Sequence, residues 1–225
     1  MRISKETIEV LKNISLINDN FYWQEGNTIT SLAVAENIFV QATVKESIDS
    51  PIWVYSLNDL INVMSISENP ELRIGANEVI IDWGNSKARY GFCDPELIKV
   101  AVKAASKKIK FPEAEINFEF EVNRSSGLLK ATAILKTPYL SIFSEDGKVC
   151  IKTYDKDNVN SNSYQVDTGT ETDYNFNMIL DIKNLVLLNG LYDVSVSGRG
   201  ISRWKHKTLD VVYYITMDES SEFGG

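Results

Sequence analysis

Residues 3–17, ISKETIEVLKNISLI, and residues 123–136, NRSSGLLKATAILK, are the stretches from which the rest of the chain can be read. Stepped at 100° per residue, Ile3, Val10, Leu11, Ile14 and Ile17 fall on one arc, the pattern of a helix with one face toward a core. Lys5 and Lys12 stand two turns apart and point away from that arc. Ser4 is placed to cap the helix, and Glu6 lies in the first turn, where an acid suits the helix dipole. The second stretch repeats the form. Leu128, Ala131 and Leu135 make its apolar side, Lys130 and Lys136 flank the other, and Arg124 lies near its start. Gly127 weakens such a helix by about 1 kcal/mol relative to Ala, so an irregular first turn is expected.

The same grammar surrounds both stretches. The first is followed by strand-like runs rich in β-branched and aromatic residues (FYWQE, TITSLAVA, NIFVQATVKE, PIWVYS) and a short apolar helix at 57–66. The runs ELRIG, EVIIDWG and KARYGFC then read as a meander with turns at Gly75–Asn77 and Gly84-Asn85. In the second half, Ile116, Phe118, Phe120 and Val122 alternate with polar residues, as in a half-buried strand. YLSIFSE and KVCIKTY are joined by Asp146-Gly147, a hairpin signal. SYQVDT, YNFNMIL, an apolar helix expected at 182–188, and the strands LYDVSVS, ISRWKH and TLDVVYYITM complete the half. One fold built twice implies two domains, residues 1–110 and 111–225, each long enough for its own core. The Lys- and Ala-rich segment 94–114, closed by Phe111-Pro112, reads as a solvated connector, partly helical at its start. The tail DESSEFGG reads as acidic and loose apart from Phe223.

The 225 residues are 44% hydrophobic with a net charge of −8, an ordinary globular composition that disfavours uniform wrapping of nucleic acid. Basic residues gathered on one face can still meet a polyanion. Cys93 and Cys150, far apart, read as free thiols in a reducing compartment. The start, MRISKETIEV, has no apolar signal core, and no apolar run approaches the roughly 18 residues of a membrane span. Catalytic chemistry is thin. The single histidine, His206, sits between two lysines with no nucleophile or orienting carboxylate nearby in sequence. There is no phosphate-binding GxxxxGK[ST] loop, and Gly198-Arg199-Gly200 lacks the third glycine of a dinucleotide fingerprint. The loop 155–163, with Asp155 and Asp157, lacks the glycine and terminal Glu of a calcium loop. Glu119 and Glu121 lie on the polar side of a strand. The expectation is no enzyme activity, no metal and no cofactor. No base-reading motif is present, so any duplex contact would run through phosphates.

Ser4-Lys5-Glu6-Thr7 with Leu11-Lys12-Asn13, Phe111-Pro112 ahead of a strand and Leu128-Leu129-Lys130, and Val212-Tyr213-Tyr214-Ile215 before an acidic tail together resemble the DNA sliding clamps, the polymerase processivity factors of T-even-type bacteriophages. The resemblance is diffuse, covers essentially the whole chain and rests mainly on element order. It implies an α+β fold of two similar clamp-type domains, each with antiparallel sheets backed by two helices, assembled head to tail into a closed homotrimeric ring. It implies a non-enzymatic protein in the cytoplasm of an infected bacterial host that encircles double-stranded DNA, is placed there by an ATP-dependent clamp loader and tethers the DNA polymerase. On the family's pattern Lys5, Lys12, Arg124, Lys130 and Lys136 face the duplex, and Ile38, Tyr214, Ile215 and Met217 form the pocket for a partner peptide. Segments 57–66 and 182–188 become second lining helices, and Lys183 is the only base in either, a departure from a uniformly basic lining. KARYGFC (87–93) and SYQVDT (163–168) are the edge strands for pairing between subunits. The alternative reading is a β-rich two-domain structural or assembly protein of a virion.

Overall fold

The computed structural model describes residues 1–125 and 127–224; Ser126, inside the second basic stretch, and Gly225, at the end of the tail, lie outside them. The chain divides into two compact units, Met1–Ile109 and Lys110–Gly225.

In the first unit, helix α1 (Lys5–Ile17) starts where Ser4 accepts a hydrogen bond from the Thr7 N–H, and it buries Val10, Leu11 and Ile14 with Thr7 and Asn13. Ile3 and Ile17, at the two ends of the apolar arc, are half-buried. Strand β1 (Phe21–Trp23) pairs antiparallel with β4 (Ile52–Val54), and β2 (Gly26–Leu32) with β3 (Ile38–Ile48). Helix α2 (Leu57–Met64) is capped by Ser56 and turns Leu57, Leu60, Ile61 and Met64 inward. A three-stranded antiparallel meander follows, β5 (Glu71–Ile74), β6 (Glu78–Asp82) and β7 (Lys87–Gly91).

The connector departs from its reading as a solvated linker. After a 3-10 turn at Pro95–Ile98, helix α3 (Lys99–Ser106) packs on β1 and β2 and buries Ala101 and Ala104, next to a fully enclosed Ile98. Two small side chains three residues apart let the helix lie close to the sheet. Lys103 and Lys107 both meet Glu36 in the β2–β3 turn, and Lys99 meets Glu96. Only the stretch from Lys107 onward is extended.

The second unit opens with β8 (Ile116–Val122) and α4 (Gly127–Leu135). The helix starts at Gly127, with φ 58°, so residues 123–125 precede it as a turn. Its C-terminus is closed by Lys136 at φ 55° and a Thr137 N–H to Thr132 carbonyl bond of 3.2 Å, a left-handed cap. Leu128 and Thr132 are buried, Ala131 and Leu135 only half so.

Strands β9 (Tyr139–Glu145), β10 (Lys148–Tyr154), β11 (Tyr164–Glu171), β12 (Asn175–Asp181) and β16 (Glu222–Gly224) form an antiparallel sheet in the order β11-β10-β9-β12-β16. Strands β13 (Gly190–Ser197), β14 (Ile201–His206) and β15 (Val211–Thr216) pair antiparallel in the order β15-β14-β13-β8. Tyr192, Trp204 and Tyr213 fill the core of this unit without exposed surface.

The apolar helix expected at 182–188 is one 3-10 turn, Ile182–Asn184, capped by Asp181. Leu185 leaves the helical region at φ −83°, ψ 56°. Leu185 and Leu187 are buried while Val186 and Leu188 are half-buried, a period of two that suits extended chain. The tail is not loose either: it ends in β16, laid along β12.

Candidate nucleic-acid interface and partner-docking residues

Lys5, Glu9, Lys12 and Leu16 form the exposed face of α1. Among the described residues neither lysine has an acidic partner, whereas Glu6 is held by Lys45 at 3.1 Å. A surface groove of about 570 Å³ runs beside Lys5, Glu9 and Lys12 to Met64, Glu68 and Pro70. The α1 N-terminus is braced from β3. Glu46 accepts the Ser4 N–H and the Thr7 hydroxyl, both at 2.5 Å. Partial burial opposes ionisation of Glu46, but these hydrogen bonds outweigh it and hold its carboxyl below the ordinary range. The outward face of α2 shows Asn58, Asp59 and Asn62 and no base.

In the second unit Lys130 and Lys136 are exposed, and neither is in an ion pair among the described residues. Arg124 is differently placed. Its Nη2 donates to the Leu185 carbonyl at 3.0 Å and its backbone N–H to Asn189 Oδ1 at 3.4 Å, so it ties the entry to α4 to the loop before β13. Asn189 is in turn held by His206, whose Nδ1 accepts the Thr208 and Leu209 N–H groups at 3.2 and 3.1 Å. Nε2 is therefore the donor to the Asn189 carbonyl, at 3.2 Å. The only histidine is a brace beneath the entry to α4. Lys183 is taken up by Asp181 at 2.6 Å.

Several bases on the sheets are matched, but Lys152 and Arg203 lie over aromatic rings instead, and Lys205 is exposed with no ion pair among the described residues. Lys87 lies 3.2 Å from Asp82, Arg89 3.8 Å from Glu78 and Lys148 2.9 Å from Asp167, and Lys207 pairs with Glu119. Lys5, Lys12, Lys130 and Lys136 are thus exposed bases without an acidic partner among the described residues.

Of the expected pocket residues, Ile38 and Ile215 are buried. Tyr214 and Met217 are half-exposed. Tyr214 packs against Phe111, ring centroids 5.9 Å apart, and the Arg203 guanidinium lies 5.0 Å from the centre of the same ring. Phe111-Pro112 was legible as a stop signal; its role as the aromatic beside Tyr214 was not, since Arg203 and Tyr214 lie far along the chain.

Each unit ends a sheet on an open strand. β7 bonds only to β6 and β11 only to β10. β7 exposes Lys87 and Arg89, and β11 exposes Asp167 and Glu171. Among the described residues no group of three or more His, Cys, Asp or Glu could hold a metal ion, and no helix is long and apolar enough to cross a membrane. Both cysteines are free, and burial pushes each thiol upward, away from the reactive thiolate.

No protein-family model matches the chain. Among solved structures it is similar to the proliferating cell nuclear antigen of Thermococcus kodakaraensis (TM-score 0.66, 11% identity, 95% of this chain and 96% of that one). It is also similar to the DNA polymerase III beta sliding clamp of Bartonella birtlesii (TM-score 0.66, 11% identity), covering 97% of this chain but spanning only 65% of that longer one. The fold is that of the sliding clamps. The likeness narrows further in sequence. The chain is 28% identical to the sliding clamp of Escherichia phage RB69, over 98% of each, and 25% identical to that of Enterobacteria phage T4, over 99% of this chain and 100% of its counterpart. A sliding clamp of Vibrio phage KVP40 is 24% identical over 97% of this chain. Over its whole length, then, the chain resembles the sliding clamps of T-even-type bacteriophages.

Proposed function

We propose that this protein is a DNA sliding clamp that encircles duplex DNA and tethers the replicative polymerase of its phage, without chemistry of its own. The observation that carries the reading is the set of exposed lysines on α1 and at α4, Lys5, Lys12, Lys130 and Lys136, which have no acidic partner among the described residues in a chain of net charge −8. Such a distribution suits sliding. Lysine contacts to phosphate carry no sequence information and are exchanged for equivalent contacts at each step along the duplex. At physiological salt the screening length is about 8 Å, so the inner lysines act locally and acids elsewhere matter little to the DNA.

Lys5, Lys12, Lys130 and Lys136 are the direct contacts in this reading, and Arg124 keeps its charge near them while positioning α4. The two units are the two clamp domains. A homotrimer closes when β7 of one subunit pairs with β11 of the next through their open backbone edges. That head-to-tail contact would also cover two strand edges otherwise open to misassociation. Partner peptides of the polymerase and the ATP-driven loader dock against Tyr214 and Met217, with Ile38 and Ile215 as supporting core. The working compartment is the cytoplasm of the infected host. Neither the geometry nor the comparisons favour the virion-structure reading.

The test is retention on DNA. Loaded by its cognate loader and ATP, the protein should remain on a nicked circle and leave when the circle is cut. Its mass in solution should approach three times 25.4 kDa. Equal retention on linear DNA with free ends would overturn the topological reading.

A further inference from the structure

The acidic tail occupies a site. Along the outer edge of β12, Glu222, Phe223 and Gly224 pair with Asn177, Phe176 and Asn175. Upstream, the Asp218 N–H donates to the Ile179 carbonyl at 2.7 Å, and the Ile179 N–H is met by the Ser221 hydroxyl at 2.9 Å rather than by a backbone carbonyl. Two features fix this segment. Lys156 donates to both Asp218 carboxylate oxygens at 2.7 Å and to the Ser220 hydroxyl at 3.2 Å. The Phe223 ring stacks on Phe176, centroids 6.0 Å apart, and sits over Gly198, where a Cβ would come within 2.7 Å of it. The notch exists because residue 198 has no side chain.

We propose that this edge is a second peptide-docking site, for an extended acidic segment carrying an aromatic residue on a partner protein, and that residues 218–224 are its resident, displaceable occupant. The seated tail displays the recognition: an acid for Lys156, an aromatic for the Gly198 notch, and backbone for β12. It also uses the edge incompletely. Among the described residues only three lie in the ladder, although β12 continues to Asp181. At Ile179 a serine side chain stands in for a strand. A straighter segment recovers ladder bonds along Met178–Asp181 that the tail cannot make, the ordinary basis of strand addition. That gain is needed because a tethered tail competes at an effective concentration on the order of millimolar. The same arithmetic argues against a second copy as the occupant: its tail has identical chemistry and no compensating advantage. The proposal does not depend on ring closure or on the Tyr214 site.

The experiment uses the full chain and two fluorescent peptides, DESSEFGG and a straightened version, DVTVEFGG. DESSEFGG should bind the Phe223→Ala chain at least about tenfold more tightly than the unsubstituted chain, because the resident tail is loosened. Adding Lys156→Glu should weaken that binding about tenfold. DVTVEFGG should bind about tenfold more tightly than DESSEFGG and should also open the unsubstituted chain. Hydrogen exchange at the Asn177 and Ile179 amides should accelerate in Phe223→Ala and slow again with peptide, while β9 and β10 stay protected. Asp218→Asn, which spares the aromatic notch, serves as a second loosened variant. Equal binding to loosened and unsubstituted chains, indifference to Lys156, or no gain from the straightened peptide overturns the proposal. Tail exchange between copies at micromolar concentration overturns the assignment of the occupant.

Discussion

Replacing Glu46 with alanine should loosen α1 far more than a half-exposed surface acid would suggest. Among the described residues Glu46 is the carboxylate bonded to the first turn of the helix, accepting from the Ser4 N–H and the Thr7 hydroxyl at 2.5 Å each. Thr7 is 1% exposed, so its hydroxyl hydrogen has no water to turn to once the acid is gone. Stranding a buried hydroxyl costs about 1–3 kcal/mol, and an acid near a helix N-terminus adds about 0.3–1 kcal/mol. Because Glu46 is itself half-exposed, the low ends apply, and Glu46→Ala should destabilise the first unit by about 1–1.5 kcal/mol. Glu46→Gln keeps acceptor capacity without charge and should lose about half of that. Three of the four tryptophans, Trp23, Trp53 and Trp83, belong to this unit, so fluorescence during urea unfolding reports it. Hydrogen exchange at Ile8, whose N–H bonds the Ser4 carbonyl at 3.0 Å, reports the helix start directly. The sign with pH follows from a folded-state pKa held below the ordinary 4.5. The contribution is fully present above 4.5 and is lost as the pH falls through the lower folded value, so the gap between native and Glu46→Ala chains should narrow under acid. A gap under about 0.5 kcal/mol at pH 7, or one that widens with acidification, would refute the argument.

Gly190→Ala places a Cβ 2.2 Å from His206 Nε2 at φ 148°, and should destabilise the second unit by about 3 kcal/mol or more, read from Trp204 fluorescence in urea. Lys136→Gly relieves a left-handed non-glycine cap and should stabilise the same unit by about 0.5–1 kcal/mol, measured in the same way. Lys5→Glu combined with Lys12→Glu should slow loading onto DNA about tenfold or more while leaving the assembled mass unchanged; loss of assembly would mean the lysines are structural. Asp218, held down to about 2 mainly by Lys156, should keep the tail latched until the pH falls from 3.8 toward that value, seen as rising exchange at Ile179; earlier release would contradict the latch.

The parts of this fold legible in sequence are those whose signal is local. Val10, Leu11 and Ile14 repeat at helical spacing, and the structure buries all three. Asp146-Gly147 supplies two left-handed residues at φ 49° and 75°, as a tight hairpin needs. Short apolar runs are ambiguous. In IKNLVLL every other leucine can face a core in an extended chain, and the Leu185 carbonyl is claimed by Arg124 from about sixty residues away. In α3 the buried face is alanine, which weighs little in a hydrophobic pattern, so lysines at 99, 103 and 107 dominate the reading and suggest a linker. The tail was illegible because its anchor is a glycine: the space above Gly198 exists only in three dimensions. Among the site residues, the exposure of Lys5, Lys12 and Lys130 follows from helix geometry. The tie from Arg124 does not, because its partner is a backbone carbonyl that no side-chain pattern announces.

The two helices with lysines lacking an acidic partner among the described residues, α1 and α4, are both held by polar groups at their N-terminal ends, from outside the helix. Glu46 holds the start of α1, and the Leu185 carbonyl with Asn189 holds the entry to α4 through Arg124. This shared solution has a physical cause. In the proposed function the outward lysines of α1 and α4 present their charge to DNA, and ion pairs across that face would neutralise it. The apolar side is short of large residues in α4, where only Leu128 and Thr132 are buried. What remains is the approach to each helix, where Glu46 accepts the Ser4 N–H ahead of α1 and Asn189 accepts the Arg124 N–H ahead of α4, without touching the lysines. His206 extends the same device by fixing Asn189. A histidine that looked idle in sequence is therefore one step removed from the lysines of α4, through geometry rather than through its own charge.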